Sequence, residues 1–128
     1  DLTRLGSKWL VSAWDSTAGQ ELFDSDGTLE GTRLLKDIDP RTLSSGVQSG
    51  AQFNGAYYFG APDASFKRAL WRTDGTPEGT NQLAQIATGY NFRASSRFLF
   101  FSSESLSLPQ LWRTDGTAAG TTLIDINV

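Results

Sequence analysis

Acidic residues recur at two fixed spacings in this chain, and they are the side chains best placed to do chemistry. Asp26, Asp74 and Asp115 each precede a Gly-Thr pair, while Asp15, Asp63 and Glu104 each stand eight residues before an aromatic, Phe23, Trp71 or Trp112. A carboxylate can serve as general acid or base, as a ligand of a hard cation, or as a hydrogen-bond acceptor in a tight turn. The chain contains no His, Cys or Met. That absence removes Ser-His-Asp and Cys-His catalysis, disulfides, thiolate clusters and imidazole ligation of metals. A two-carboxylate glycosidase needs neither His nor Cys, but the spacing singles out no carboxylate pair. No catalytic residue, resident metal or cofactor is therefore expected.

Two readings compete for each acidic set. The pairs Asp26-Gly27, Asp74-Gly75 and Asp115-Gly116 suit hairpin turns, because Gly adopts positive φ freely and Asp accepts bonds from nearby backbone N–H groups. Asp24, Asp26 and Glu30 alternate in the manner of a calcium loop. The later repeats keep only Asp74 and Glu78, and then Asp115, too few for a shell of six to eight oxygens. Structural turns are the preferred reading. Asp15, Asp63 and Glu104, with Trp14, Phe66, Lys67 and Arg68 beside them, are the candidate binding surface; solvated turn acids are the competing account. Trp71 and Trp112 could stack on sugars, but their alternation with Leu70 and Leu111 points to packing between sheets.

The elements that must position these residues follow from a repeat. ELFDSDGTLEGTRLLKDI from Glu21, ALWRTDGTPEGTNQLAQI from Ala69 and QLWRTDGTAAGTTLIDI from Gln110 share a Leu-aromatic-x-x-Asp-Gly-Thr-x-x-Gly-Thr core, and their first glycines are 48 and then 41 residues apart. That period fits a four-stranded propeller blade. Trp9, Tyr57 and Phe98 lie fourteen residues before Phe23, Trp71 and Trp112, which predicts two aromatic columns, both buried. β-rich runs at 9–13, 57–61 and 98–102 follow turn signals at Gly6-Ser7, Asn54-Gly55 and Ser95-Ser96, and short strands at 2–5, 51–53 and 91–94 precede those turns. The expected fold is all-β: three four-stranded antiparallel blades over residues 1–46, 47–89 and 90–128. Nothing reads as a helix or as an apolar span long enough for a membrane. A net charge of −3 and a pI near 4.8 argue against nucleic acid and anionic lipid as partners.

These motifs resemble the ELWxxDGT repeats of large bacterial secreted and surface proteins. The likeness covers nearly the whole chain, with Phe53-Asn-Gly55, Tyr58-Phe59 and Lys36-Asp-Ile-Asp-Pro40 fitting alongside. Phe23 replaces Trp in the first copy, and Ala69 and Gln110 replace Glu21, which weakens any role for Glu21 as a functional acid. The Asp-Gly turns are also similar to the Asp-box hairpins of sialidase propellers, although the spacing differs. The resemblance implies a propeller-like module outside the bacterial cytoplasm, extracellular, surface-bound or periplasmic, and brings no catalytic motif. A non-catalytic binding, assembly or structural-subunit role is the leading expectation, with a carboxylate-based glycosidase or carbohydrate-binding propeller as its rival. Three blades fall short of the four to eight that close a propeller. Partners are therefore expected: further copies, other protein subunits, the rest of a longer chain, or a glycan.

Overall fold

Period-two alternation on both faces of short β-rich runs demands sheets covered on two sides, and the chain meets that demand by stacking. The computed structural model describes residues 2–41, 46–47, 50–87, 91–103 and 108–126. Twelve strands form three antiparallel sheets, each in sequence order. The first comprises β1 (Leu2–Leu5), β2 (Lys8–Asp15), β3 (Gly19–Ser25) and β4 (Arg33–Lys36). β5 (Ala51–Phe53), β6 (Ala56–Pro62), β7 (Arg68–Thr73) and β8 (Asn81–Ala84) make the second, and β9 (Arg93–Ala94), β10 (Leu99–Ser103), β11 (Gln110–Thr114) and β12 (Thr122–Ile124) the third. No helix occurs among the described residues. The tight turns fall where glycine or asparagine permits positive φ, at Gly6 and at Asn54-Gly55.

The middle sheet is buried on both faces. On its front face, Tyr57, Phe59, Ala61, Ala69 and Trp71 pack against Leu10, Leu22, Leu35, Ile38 and Val47. Tyr58, Leu70 and Ile86 on its rear face pack against Phe92, Leu99 and Phe101, with Trp112 partly buried beside them. The two seams are built alike: Phe59 stacks on Trp71 at 6.5 Å between centroids, and Phe101 on Trp112 at 6.4 Å.

Cross-strand pairing fixes which positions are equivalent, and it corrects the first aromatic column. Trp9 pairs with Ser25 and Tyr57 with Thr73, but in the third sheet Leu99, not Phe98, pairs with the matching Thr114. The distance from this position to the aromatic of the next strand is one residue shorter there. Because side chains alternate, a slip of one residue moves a side chain to the opposite face. Phe98 therefore lies on the rear face beside Phe100, at 6.3 Å, and Leu99 fills the front-face position at 0 % exposure. The front-face column is Trp9, Tyr57, Leu99, and it is not uniformly buried, since Trp9 is 41 % exposed. In the second column Trp71 is buried, whereas Phe23 and Trp112 are half-buried.

Trp71 is a core residue, and its indole N–H is buried without a hydrogen-bond partner among the described residues. The equivalent Trp112 donates from Nε1 to Ser103 Oγ at 3.0 Å. Ala61 stands where Ser103 does, each paired with the residue two before its Trp. Trp71→Ala should lower stability by about 3–5 kcal/mol through the cavity it leaves, whereas Trp14→Ala, at a side chain 70 % exposed, should change it by no more than about 0.5 kcal/mol. Denaturant midpoints at unchanged slope measure both, and a silent Trp71→Ala would remove Trp71 from the core.

Candidate functional site

Three places bring polar side chains together: the loops joining the third and fourth strands of each sheet, the loops joining the second and third, and the grooves between sheets. In the first set, each Asp, Gly and Thr of the repeated Asp-Gly-Thr-x-x-Gly-Thr segment has a task. Asp74 Oδ1 accepts from Thr76 N at 2.9 Å and Thr76 Oγ1 at 2.7 Å. Thr76 Oγ1 in turn accepts from Gly79 N at 3.0 Å, and Thr80 Oγ1 donates to Thr76 O at 2.6 Å. Thr73 Oγ1 accepts from Gly75 N at 3.0 Å and lies 2.7 Å from Thr80 Oγ1. The same network recurs around Asp26 and around Asp115.

Both glycines are required by geometry. Gly27, Gly75 and Gly116 have φ of 96°, 92° and 101°, in the region that favours glycine. A Cβ on Gly31, Gly79 or Gly120 would sit 2.0, 1.9 or 2.0 Å from the Asp carboxylate oxygen of its own loop. The carboxylate thus occupies the space a side chain would need, and the loop closes around it. Hydrogen bonds from Thr28, Thr76 and Thr117 hold Asp26, Asp74 and Asp115 below the ordinary carboxylate range.

The calcium-like trio does not converge. Asp24 is buried and ion-paired with Lys8 at 2.6 Å and Arg33 at 3.6 Å, while Asp26 is committed to Thr28. No group of three potential metal ligands occurs among the described residues.

The candidate binding loops are likewise organised around their own acids. Asp15 Oδ1 accepts from Thr17 N at 2.7 Å, from Ala18 N at 2.9 Å and from the Thr17 hydroxyl. Asp63 Oδ1 accepts from Ser65 N at 2.8 Å and Lys67 N at 3.0 Å, and this turn holds Phe66 at a φ of 67°. Both carboxylates sit below the ordinary range, Asp15 chiefly through the Thr17 hydroxyl and Asp63 chiefly through the Lys67 N–H. Glu104 lies outside the described residues. Ser103, the last described residue before it, is the structural equivalent of Ala61 and Ala13. Trp14 and Phe66 are exposed, Lys67 is exposed and Arg68 half-buried.

Two residues that the repeat pattern leaves without a role act here. Arg41 places its guanidinium 3.3 Å from the centroid of the Phe66 ring while forming a two-pronged pair with Asp39, at 2.5 Å on each oxygen. It thereby ties the connection after the first sheet to the β6–β7 loop. Glu21, with no exposed surface, accepts from Ile38 N at 3.0 Å and Asp39 N at 3.2 Å and anchors the start of the same connection. The pairing of a linker arginine with a phenylalanine 25 positions on has no local sequence signal.

The grooves lie where the second and third Asp-Gly-Thr loops overhang the preceding sheet. One of about 410 Å³ is lined by Asn54, Tyr58, Arg72 and Asn81 of the second sheet and by Asp115 and Gly116 of the third. The other, about 300 Å³, runs between Lys8, Asp24 and Arg33 of the first sheet and Thr76, Pro77 and Glu78 of the second. Across it Lys36 Nζ donates to Thr80 O at 2.7 Å. These grooves offer hydrogen-bond donors and charge, but Asp24 and Asp115 are engaged locally. The chain matches no family model, no curated protein and no solved structure in the comparisons made.

Two outcomes follow from the loop network. Gly79→Ala should cost roughly 1–3 kcal/mol, as overpacking does, because the new methyl group displaces the Asp74 carboxylate; a neutral result in urea unfolding would contradict the geometry. The depressed carboxylates contribute stability that is fully present above their unfolded value, about 3.9, and is lost as pH falls through the lower folded values. The urea midpoint should therefore hold steady from neutral pH to about pH 5 and drop below about pH 4. Replacing Thr28, Thr76 and Thr117 by Val should make that drop shallower.

Proposed function

We propose that the chain is a non-catalytic binding or assembly module whose three sheets are successive blades of a β-propeller-like array, as in the extracellular ELWxxDGT repeat proteins it resembles. One observation carries this reading: equivalent positions are buried in the middle sheet and open on the end sheets. Tyr57 is 3 % exposed and Trp9 41 %; Leu70 is 0 % exposed and Leu111 38 %. Apolar faces of this kind mark surfaces that receive other polypeptide. The placement of the innermost strands supports the blade reading, since β5 lies beside β9 and Gln52 of β5 donates from Nε2 to Thr3 Oγ1 at 2.9 Å and to the Arg4 carbonyl in β1.

A glycosidase needs one carboxyl group held protonated beside a second that is ionised. Asp15, Asp26, Asp63, Asp74 and Asp115 are all displaced in the ionised direction by hydrogen bonds inside their own turns, which favours the non-catalytic role. The purified chain should show no turnover on a panel of polysaccharides from pH 4 to 8 and should be recovered from native material in stable association with polypeptide. Saturable turnover with a bell-shaped pH profile, or a chain that associates with nothing, would overturn the reading.

A further inference from the structure

Each seam inside the chain joins the rear face of one sheet to the front face of the next. Among the described residues no sheet covers the front face of the first sheet or the rear face of the third. Strand pairing gives the equivalences. On the open front face Trp9, Val11 and Phe23 stand where Tyr57, Phe59 and Trp71 stand in the first seam. On the open rear face Phe100 and Leu111 stand where Tyr58 and Leu70 stand in the second. The chain therefore exposes both halves of a third seam of the kind it already makes twice.

The loops carry the same message. A Cβ on Gly75 would lie 3.5 Å from Leu5 of the preceding sheet, and one on Gly116 would lie 2.7 Å from the Tyr58 hydroxyl; at Gly27 nothing lies within 4 Å. Leu29 and Glu30 occupy the loop positions of Pro77 and Glu78, which line the groove against Lys8 and Arg33. Leu29 is 87 % exposed. On the open rear face, Arg97 and Arg113 hold their guanidinium groups 5.5 and 4.5 Å from the Phe98 ring, so the rear face presents positive charge over an aromatic surface. Seated there, the first loop would bring an apolar side chain to Phe98 and a carboxylate to two arginines.

From these faces we infer that the occupant is a second copy of this chain, docked head to tail, the front of each first sheet on the rear of the other's third. This rests on the assembly reading above. A second copy supplies what both faces call for: its Leu29 and Glu30 meet Phe98, Arg97 and Arg113, and the two sets of three described sheets make six, within the four to eight that close a propeller. Two copies then satisfy both open faces at once, with a two-fold axis relating two identical seams.

The test is native mass spectrometry and sedimentation of the full chain across the micromolar range, with Trp9→Glu on the front face and Leu111→Glu on the rear. Neither residue belongs to the two internal cores, and circular dichroism of each variant checks that it stays folded. Wild type should be a discrete dimer of the 13.9 kDa chain. Each variant alone should weaken dimerisation about 100-fold or more, as loss of a central apolar anchor does. Mixing the two variants should recover part of the lost association as a mixed dimer, because the rear face of the Trp9→Glu chain and the front face of the Leu111→Glu chain make one intact seam while the other seam carries both substitutions. A wild-type monomer, open-ended oligomers, or a dimer that one variant leaves unchanged would overturn the second-copy assignment. A monomer that still binds other subunits would overturn that assignment alone; a monomer that binds none would overturn the assembly reading as well.

Discussion

The structure depends on the covering of sheets that are apolar on both faces. A strand such as β6, with Tyr57, Phe59 and Ala61 on one side and Ala56 and Tyr58 on the other, cannot leave either side in water without forgoing roughly 25 cal/mol per Å² of apolar area. Stacking solves the problem for the middle sheet and passes it to the ends. A stack of any finite length keeps two faces unsatisfied unless it curls round and meets itself, and closure removes unpaired edges in β-architectures for the same reason. The exposure of Trp9 and Leu111 is thus a property of position in the stack, not of the residues, whose equivalents at Tyr57 and Leu70 are buried.

What lets the stack repeat is a loop whose shape is held by its own hydrogen bonds. The Asp carboxylate, the Thr hydroxyls and the Gly N–H groups of the Asp-Gly-Thr-x-x-Gly-Thr segment are paired with one another or with the hydroxyl just before the segment, Ser25, Thr73 or Thr114. Such a loop can overhang different neighbours, Leu5 in one case and Tyr58 in the other, without changing shape. Variation is then free to accumulate at the x positions, Leu29-Glu30, Pro77-Glu78 and Ala118-Ala119, which are exposed and which meet the preceding sheet or solvent.

The sequence made the repeats, the strand count and the antiparallel order legible, because turn chemistry and β-rich runs are local signals. It also made the motif's logic legible in outline: Asp for the turn, Gly for the backbone. Two things escaped. Aromatic spacing points to Phe98 in Phe98-Leu99-Phe100-Phe101, whereas the pairing of Leu99 with Thr114 decides the register, and that pairing is not local. The link between Arg41 and Phe66 was invisible because it joins segments that no pattern relates. At the loop acids, spacing along the chain carries no information about bonding partners: Asp15 and Asp63 each turn inward on their own backbone.

That inward turn bears on where function can reside. A carboxylate held in its ionised form by hydroxyl and backbone N–H groups is a poor proton donor, so acid catalysis by Asp15, Asp63 or the three motif aspartates would have to break the turns that shape the loops. Apolar faces carry no such conflict: Trp9, Phe23, Phe100 and Leu111 gain by being covered and lose no existing partner in the core. Covering an exposed apolar side chain therefore costs least at the two outer faces of the stack, and rearrangement costs most at the loops, whose internal hydrogen bonds would have to be broken.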